Sequence, residues 1–365
     1  MRSIAEFGAD LSLIDWWPVR AAVLAVTLVV LAVLAYRLRV RAARYALIPI
    51  GALLLVVNVL LGVNAYFGYY LTLAQAVGAA SEDEGSLAML NSKTVPRNAG
   101  VVIDVQIPPR ESGFQARPAQ VYLPPEWFTS PRPKLPVIVL LHGTPGSPED
   151  WLNGGEAQRT ADRWAATHGG KTPIVVMPDV NGSTFDDTEC VNSPRGNAET
   201  YLTEDVPNYI RTQFLTRDPG KDWAVAGLSE GGSCAIMLAL RHQDLFSTFA
   251  DFGGLLGPRD GDTNDPGTTV SSLFDGSQGA FNAHEPEWLL THQRFAGLHG
   301  FFVVGSEDPE PRAAVERLAG LARRAGVDTS VVVIPGGEHT FDVWRDGFAD
   351  ALPWIVERVG VKVAR

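Results

Sequence analysis

Gly227, Ser229 and Gly231 form the pattern G-L-S-E-G between an apolar run, WAVAGL, and a helical one, SCAIMLALRHQ. A serine hydroxyl there could attack a carbonyl, provided the chain lifts it clear of its neighbours and a base takes its proton. The glycines meet the first need. In a strained strand-to-helix turn, the residues two before and two after the serine press against neighbouring backbone, where a side chain would collide. His339, in SVVVIPGGEHTF, is the expected base, and Asp308, in FFVVGSEDP, the acid expected to hold its imidazole in the working tautomer. Glu307 is the alternative acid. His142 also ends an apolar run but lies upstream of the serine, so it is expected to orient the loop it begins. His168, His242, His284, His292 and His299 fall on helices or loops and are expected to be structural.

An oxyanion formed by such an attack needs two donors. The N–H of Glu230, at the start of a helix, is one; the N–H of Thr144 in VIVLLHGTPGSPEDW is the other, with Gly143 as the alternative. Pro145 has no N–H to give. The carboxylate of Glu230 would oppose catalysis if it faced the oxyanion and is expected to point away. Cys190 and Cys234, the two cysteines of the chain, flank the same region, and a disulfide between them would pin a substrate-facing loop. The alternative is a buried free thiol at Cys234. No metal-ligand spacing and no phosphate-cradling loop occurs, so metals and cofactors are not expected. The acidic stretch GPRDGDTNDPG lacks the closing glutamate of a calcium loop and reads as a solvated turn.

These residues need a frame. VVIDVQI, AQVYLP, VIVLLHG, PIVVMPD, WAVAGLS, FADFGG, FFVVGS and SVVVIPGG read as strands, with amphipathic helices between most of the later ones. Continuous apolar strands alternating with helices predict a mostly parallel sheet covered on both faces, and the closely spaced first two predict an antiparallel edge. This α/β domain is expected over residues 100–365, after a polar linker over 81–99. Residues 1–80 read as a membrane anchor with two transmembrane helices, about 17–36 and 46–70. Trp16, Trp17, Tyr66, Tyr69 and Tyr70 suit an interfacial belt. Acids precede the first apolar run and arginines follow it, the reverse of a cleaved signal peptide. Arg37, Arg39, Arg41 and Arg44 place the short loop in the cytoplasm, so the catalytic domain of this two-span protein of the cell membrane is expected outside. With a net charge of -11, nucleic acid is not an expected partner.

Taken together, VYLPPEWF, LPVIVLLHGTPGSPEDW, AVAGLSEGGSCAIMLALRHQDLF, GSEDP and GGEHTFDVWRDGF resemble the esterase D family of α/β hydrolases, which includes mycobacterial mycolyltransferases and feruloyl esterases. The resemblance spans roughly residues 100 to 360. It implies an α/β-hydrolase fold without a large lid, with Ser229, Asp308 and His339 as its triad. The two-span N-terminus is similar to that of membrane-anchored actinobacterial esterases. Glu230 departs from the neutral residue that members often carry there. The expected activity is hydrolysis of carboxylic esters, envelope lipids among them. An acyltransferase passing the acyl group to a sugar or glycolipid hydroxyl is the alternative, and a catalytically silent envelope-binding protein the second.

Overall fold

The computed structural model describes residues 12–13, 17–37, 41–76 and 98–361. Residues 81–97 of the expected linker, together with Trp16 and Arg39, lie outside them. The chain divides into two compact units, Met1–Glu82 and Asp83–Arg365.

The first unit is a helical pair, α1 (Trp17–Arg37) and α2 (Arg41–Phe67). At 1.5 Å per residue, α1 is about 31 Å long, close to the thickness of a bilayer core. Leu24, Leu28, Leu53 and Leu60 turn outward, as lipid-facing side chains would. The polar groups are used between the helices: Asn58 Nδ2 donates to Thr27 Oγ1 (2.9 Å), and Thr27 donates to the Val23 carbonyl (2.7 Å). Beyond the helices, Leu13 N–H donates to the Leu71 carbonyl (2.8 Å), so the chain enters and leaves the pair at one end. Among the described residues one apolar stretch, Ile48–Phe67, reaches spanning length; that of α1, Ala21–Val33, is shorter. Of the two spans expected over 17–36 and 46–70, the first region is helical throughout and the second to Phe67, and the second alone holds a stretch of spanning length among the described residues.

The second unit is built on eight strands: β1 (Val101–Val105), β2 (Ala119–Leu123), β3 (Val137–Leu141), β4 (Ile174–Met177), β5 (Gly220–Leu228), β6 (Phe246–Phe252), β7 (His299–Gly305) and β8 (Asp328–Ile334). They lie in the order β1-β2-β4-β3-β5-β6-β7-β8. β1 pairs antiparallel with β2, and β2 antiparallel with β4; all later pairings are parallel. Each expected strand is present, including the antiparallel edge. β3 and β4 are buried along their whole length, as apolar runs covered on both faces must be. The principal helices are α3 (Ala157–Thr167), α4 (Val206–Phe214), α5 (Glu230–Arg241), α6 (Pro309–Ala325) and α7 (Phe341–Arg358). Parallel strands point their C-terminal ends to one edge, and the turns after β3, β5, β7 and β8 carry the residues singled out above.

Candidate active site

β5 ends at Leu228 and α5 begins at Glu230, leaving Ser229 alone in the turn with φ 54° and ψ -123°. A non-glycine residue rarely adopts a positive φ, and the neighbours must hold it there. Crowding at the flanking glycines shows how they do so. A Cβ on Gly227 would lie 2.1 Å from the Gly231 carbonyl oxygen, and one on Gly231 would lie 2.3 Å from that of Leu141. Ser229 N–H donates to the Phe252 carbonyl (3.0 Å), tying the turn to β6.

His339 Nε2 stands 2.9 Å from Ser229 Oγ, and His339 Nδ1 stands 2.6 Å from Asp308 Oδ2. The Trp344 ring packs edge-on against the imidazole, with centroids 4.9 Å apart, and limits its rotation. Asp308 is buried where α6 begins, whereas the Glu307 side chain is exposed and accepts from the Ser306 hydroxyl. Of the two acids, Asp308 is the one whose carboxylate meets the imidazole. The remaining histidines are held elsewhere: His242 and His284 by Glu199, His299 by Asp328, and His168 and His292 stacked on tryptophans. His142 is fully buried, with Nδ1 2.8 Å from the Gly143 carbonyl oxygen and Nε2 3.1 Å from Asp179, beneath the loop it was expected to orient.

That loop reaches the serine. A Cβ on Gly143 would approach Ser229 Cβ to 2.9 Å, so a side chain at 143 would crowd the serine. Among the described residues, the N–H groups of Gly143, Thr144 and Glu230 donate to no protein acceptor. Free N–H groups beside a nucleophile are what an oxyanion requires. The Glu230 carboxylate turns onto the loops: Oε2 accepts from the Thr144 hydroxyl and from Asn181 Nδ2 (2.8 Å), and Oε1 from the Glu189 N–H (3.2 Å). Burial first, and the Asp187 charge second, push its carboxyl up to about 7.

A cavity of about 300 Å³ opens over Ser229 and His339. Its acidic lining is Asp187, Glu189, Glu230, Asp262, Asp308 and Glu310; Leu255, Pro309 and Pro311 are apolar, and no described lysine or arginine lines it. Gly261 and Asp262 belong to the stretch read from sequence as a solvated turn; residues 261–263 and 265–267 are exposed as that reading expects, but Gly257, Pro258 and Arg259 are buried and anchor it. Arg259 is buried and grips Glu285 with two nitrogens (2.8 and 2.7 Å), while Asn264 bonds Glu310. The stretch therefore borders the cavity. Its arginine gave no signal because the glutamate partner lies 26 residues on. Asn181 and Glu189 were missed for the same reason: each meets Glu230, 49 and 41 positions away.

Cys190 and Cys234 form a disulfide. Cys234 lies four residues after Glu230 on α5, so one face of the helix holds the 181–190 loop twice, covalently at 234 and by hydrogen bonds at 230. The group around Cys190, Glu230 and Cys234 could face a metal only if the sulfurs were free; bridged, they are poor ligands.

Asp251, in β6 beneath the turn, is fully buried. Its Oδ1 accepts the Gly254 N–H (2.7 Å), its Oδ2 has no partner among the described residues, and burial pushes its carboxyl up to about 7. The folded state therefore binds this proton more tightly than the unfolded chain does. That stabilisation is complete below pH ~4 and is lost as pH rises through ~7. Between pH 5 and 8 this group alone is expected to lower the unfolding free energy by about 2–3 kcal/mol. Urea titrations at several pH values should show the fall, and Asp251→Asn should reduce it, leaving the part that comes from Glu230; equal slopes for both proteins would refute the assignment.

The sequence profile of the Esterase family matches residues 114–356, well over half of the chain. The chain belongs to the Esterase family. An uncharacterized protein of Corynebacterium glutamicum is 34% identical over 322 residues, covering 84% of this Esterase-family chain and 75% of that protein. The diacylglycerol acyltransferase/mycolyltransferase Ag85A of Mycobacterium leprae is 30% identical over 155 residues, 40% of this chain and 43% of its own length. A ferulic acid esterase structure superposes with TM-score 0.58 at 19% identity, covering 72% of this chain and 99% of that one. The S-formylglutathione hydrolase of Agrobacterium tumefaciens does so with the same score and identity, covering 97% of its own chain. At that identity the two structures speak for the fold, a mostly parallel sheet flanked by helices as in α/β hydrolases. Membership of this family makes the chain an enzyme of ester chemistry.

Proposed function

We propose that the chain is a membrane-anchored serine esterase, working outside the cytoplasm on carboxylic esters with a short acyl group and no negative charge. The observation that carries this reading is the hydrogen-bonded line from Ser229 through His339 to Asp308, beside N–H groups left without an acceptor. Ser229 Oγ attacks the acyl carbonyl as His339 Nε2 takes its proton, and Asp308 stabilises the imidazolium. The oxyanion is received by the N–H groups of Glu230 and Thr144. His339 then gives its proton to the departing alcohol, a water attacks the acyl-enzyme with His339 again as base, and the carboxylic acid leaves.

The substrate class follows from the cavity. At about 300 Å³ it lies at the lower end of small-molecule sites, and with no described lysine or arginine in its lining it offers an anionic substrate no cationic partner. The anchor reading draws on the apolar surface of α1 and α2 and on their entry and exit at one end. The arginines between the helices favour an outward catalytic unit. A tether of this kind suits esters held in the envelope. Transfer to a sugar hydroxyl is the second reading, favoured by the likeness to a mycolyltransferase.

Intact cells producing the full chain, given a membrane-impermeant choline ester of butyrate, are expected to release butyrate, whereas cells producing Ser229→Ala are not. A matched hemisuccinate ester is expected to react at least tenfold more slowly. Hydrolysis appearing only after lysis would reverse the orientation. Acyl transfer to added trehalose outpacing acid release would replace the first reading by the second.

A further inference from the structure

Glu230 is unusual in having both its backbone and its side chain engaged at one site. Its N–H is free at the cavity, while its carboxylate receives three donors from two other loops: the Thr144 hydroxyl, Asn181 Nδ2 and the Glu189 N–H. Asn181 Nδ2 also reaches Thr144 Oγ1 (2.5 Å), and that hydroxyl lies 3.3 Å from the Asp186 carbonyl oxygen. The loop bearing Thr144 is held on both sides of it, at Gly143 by His142 and at Gly146 by the Thr184 carbonyl and Arg117. Between those points its side-chain fixing runs through one hydroxyl, which donates to the carboxyl of Glu230.

A buried acid beside a developing oxyanion is unfavourable in itself. A neutral side chain would avoid that penalty, so the carboxylate needs a compensating use. The geometry offers one, because two oxyanion donors act together only if their separation matches the tetrahedral oxygen, and a shift of about 1 Å can cost about 100-fold in rate. One donor is Glu230's own N–H, and the other belongs to the residue its carboxylate holds.

We propose that Glu230 is a positioning residue for ester hydrolysis: through Thr144 and Asn181, its carboxylate sets where the second oxyanion N–H stands relative to the first. This rests on the serine-esterase reading of Ser229. The carboxylate touches neither substrate nor nucleophile in this role. Glutamine should be an imperfect substitute, since it offers one acceptor oxygen where two are used, and its amide would meet a donor.

The test is a double-mutant cycle in the full-length chain with wild type, Glu230→Ala, Thr144→Val and the double variant, and Glu230→Gln alongside. For each, kcat and KM on a neutral butyrate ester, the rate of fluorophosphonate labelling of Ser229, and Tm are measured. Each single variant is expected to lower kcat about 10- to 100-fold, with KM within threefold and labelling slowed by a similar factor. The double variant is expected to be no slower than the slower single, and Glu230→Gln to fall between wild type and alanine. The inference is overturned if both singles keep kcat within twofold, if their losses multiply in the double, or if labelling is unchanged while Tm alone falls. If Glu230→Ala does not fold, Thr144→Val and Glu230→Gln decide by the same criteria. Wild type that neither hydrolyses the ester nor labels overturns the esterase reading, and this inference with it.

Discussion

Ser229→Ala is expected to lower kcat by about 10⁴- to 10⁶-fold and to abolish fluorophosphonate labelling, with the fold intact. The size follows from the loss of the covalent route: without Oγ, the N–H groups and the cavity still bind substrate, but water must attack unaided. His339→Ala should cost nearly as much, and the double variant little more, because nucleophile and base act as one unit. Asp308→Asn should cost about 10⁴-fold, since an amide at the 2.6 Å contact favours the wrong imidazole tautomer. Stability separates this from unfolding. Alanine keeps the Cβ at φ 54°, so Tm should change little, whereas Ser229→Gly should relieve the turn and raise stability by about 1 kcal/mol. Wild type that resists the probe while binding ester would identify a catalytically silent binding protein instead.

Removing the disulfide is expected to have the largest effect on stability. Cys190 and Cys234 are separated by 44 positions, and cross-linking a loop of that length restricts the unfolded chain by about 4 kcal/mol on the chain-entropy model. Cys190→Ser with Cys234→Ser should therefore lower Tm by about 10 °C in a unit of this size. The folded state loses as well. Glu189 and Cys190 both have positive φ, 51° and 53°, a conformation that non-glycine residues hold only under constraint. Scanning calorimetry of wild type with and without a reductant should reproduce the shift, and a change below 2 °C would show that the loop is held by its hydrogen bonds alone.

Most of the frame was legible in the sequence because its signals are local. A strand covered on both faces must be apolar throughout, and a serine in a strained turn needs glycines at fixed distances, so β3, β5 and the Ser229 turn could be read from a few adjacent residues. The order serine, acid, histidine added His339 and narrowed the acid to Glu307 or Asp308; burial at the start of α6 decided between them. What the sequence concealed is contact between loops. Glu230 and Asn181 are 49 positions apart and Arg259 and Glu285 are 26 apart, and neither separation has a periodicity that points to its partner. For the same reason, nothing in the acids and glycines from 257 to 267 pointed to Arg259 as the buried anchor of a mostly exposed segment.

The attachment of that segment bears on how such an enzyme changes over generations. The turn at Ser229 is fixed by backbone crowding at Gly227 and Gly231, where a Cβ would lie 2.1 and 2.3 Å from a carbonyl oxygen. The 254–268 segment is joined to the rest through side-chain links such as Arg259 with Glu285 and Asn264 with Glu310. A lineage can therefore exchange residues between those links, or lengthen the segment, without disturbing the chemistry beneath it. The segment at the rim of the cavity and the turn that holds Ser229 are thus secured by different kinds of contact, side chain in one and backbone in the other.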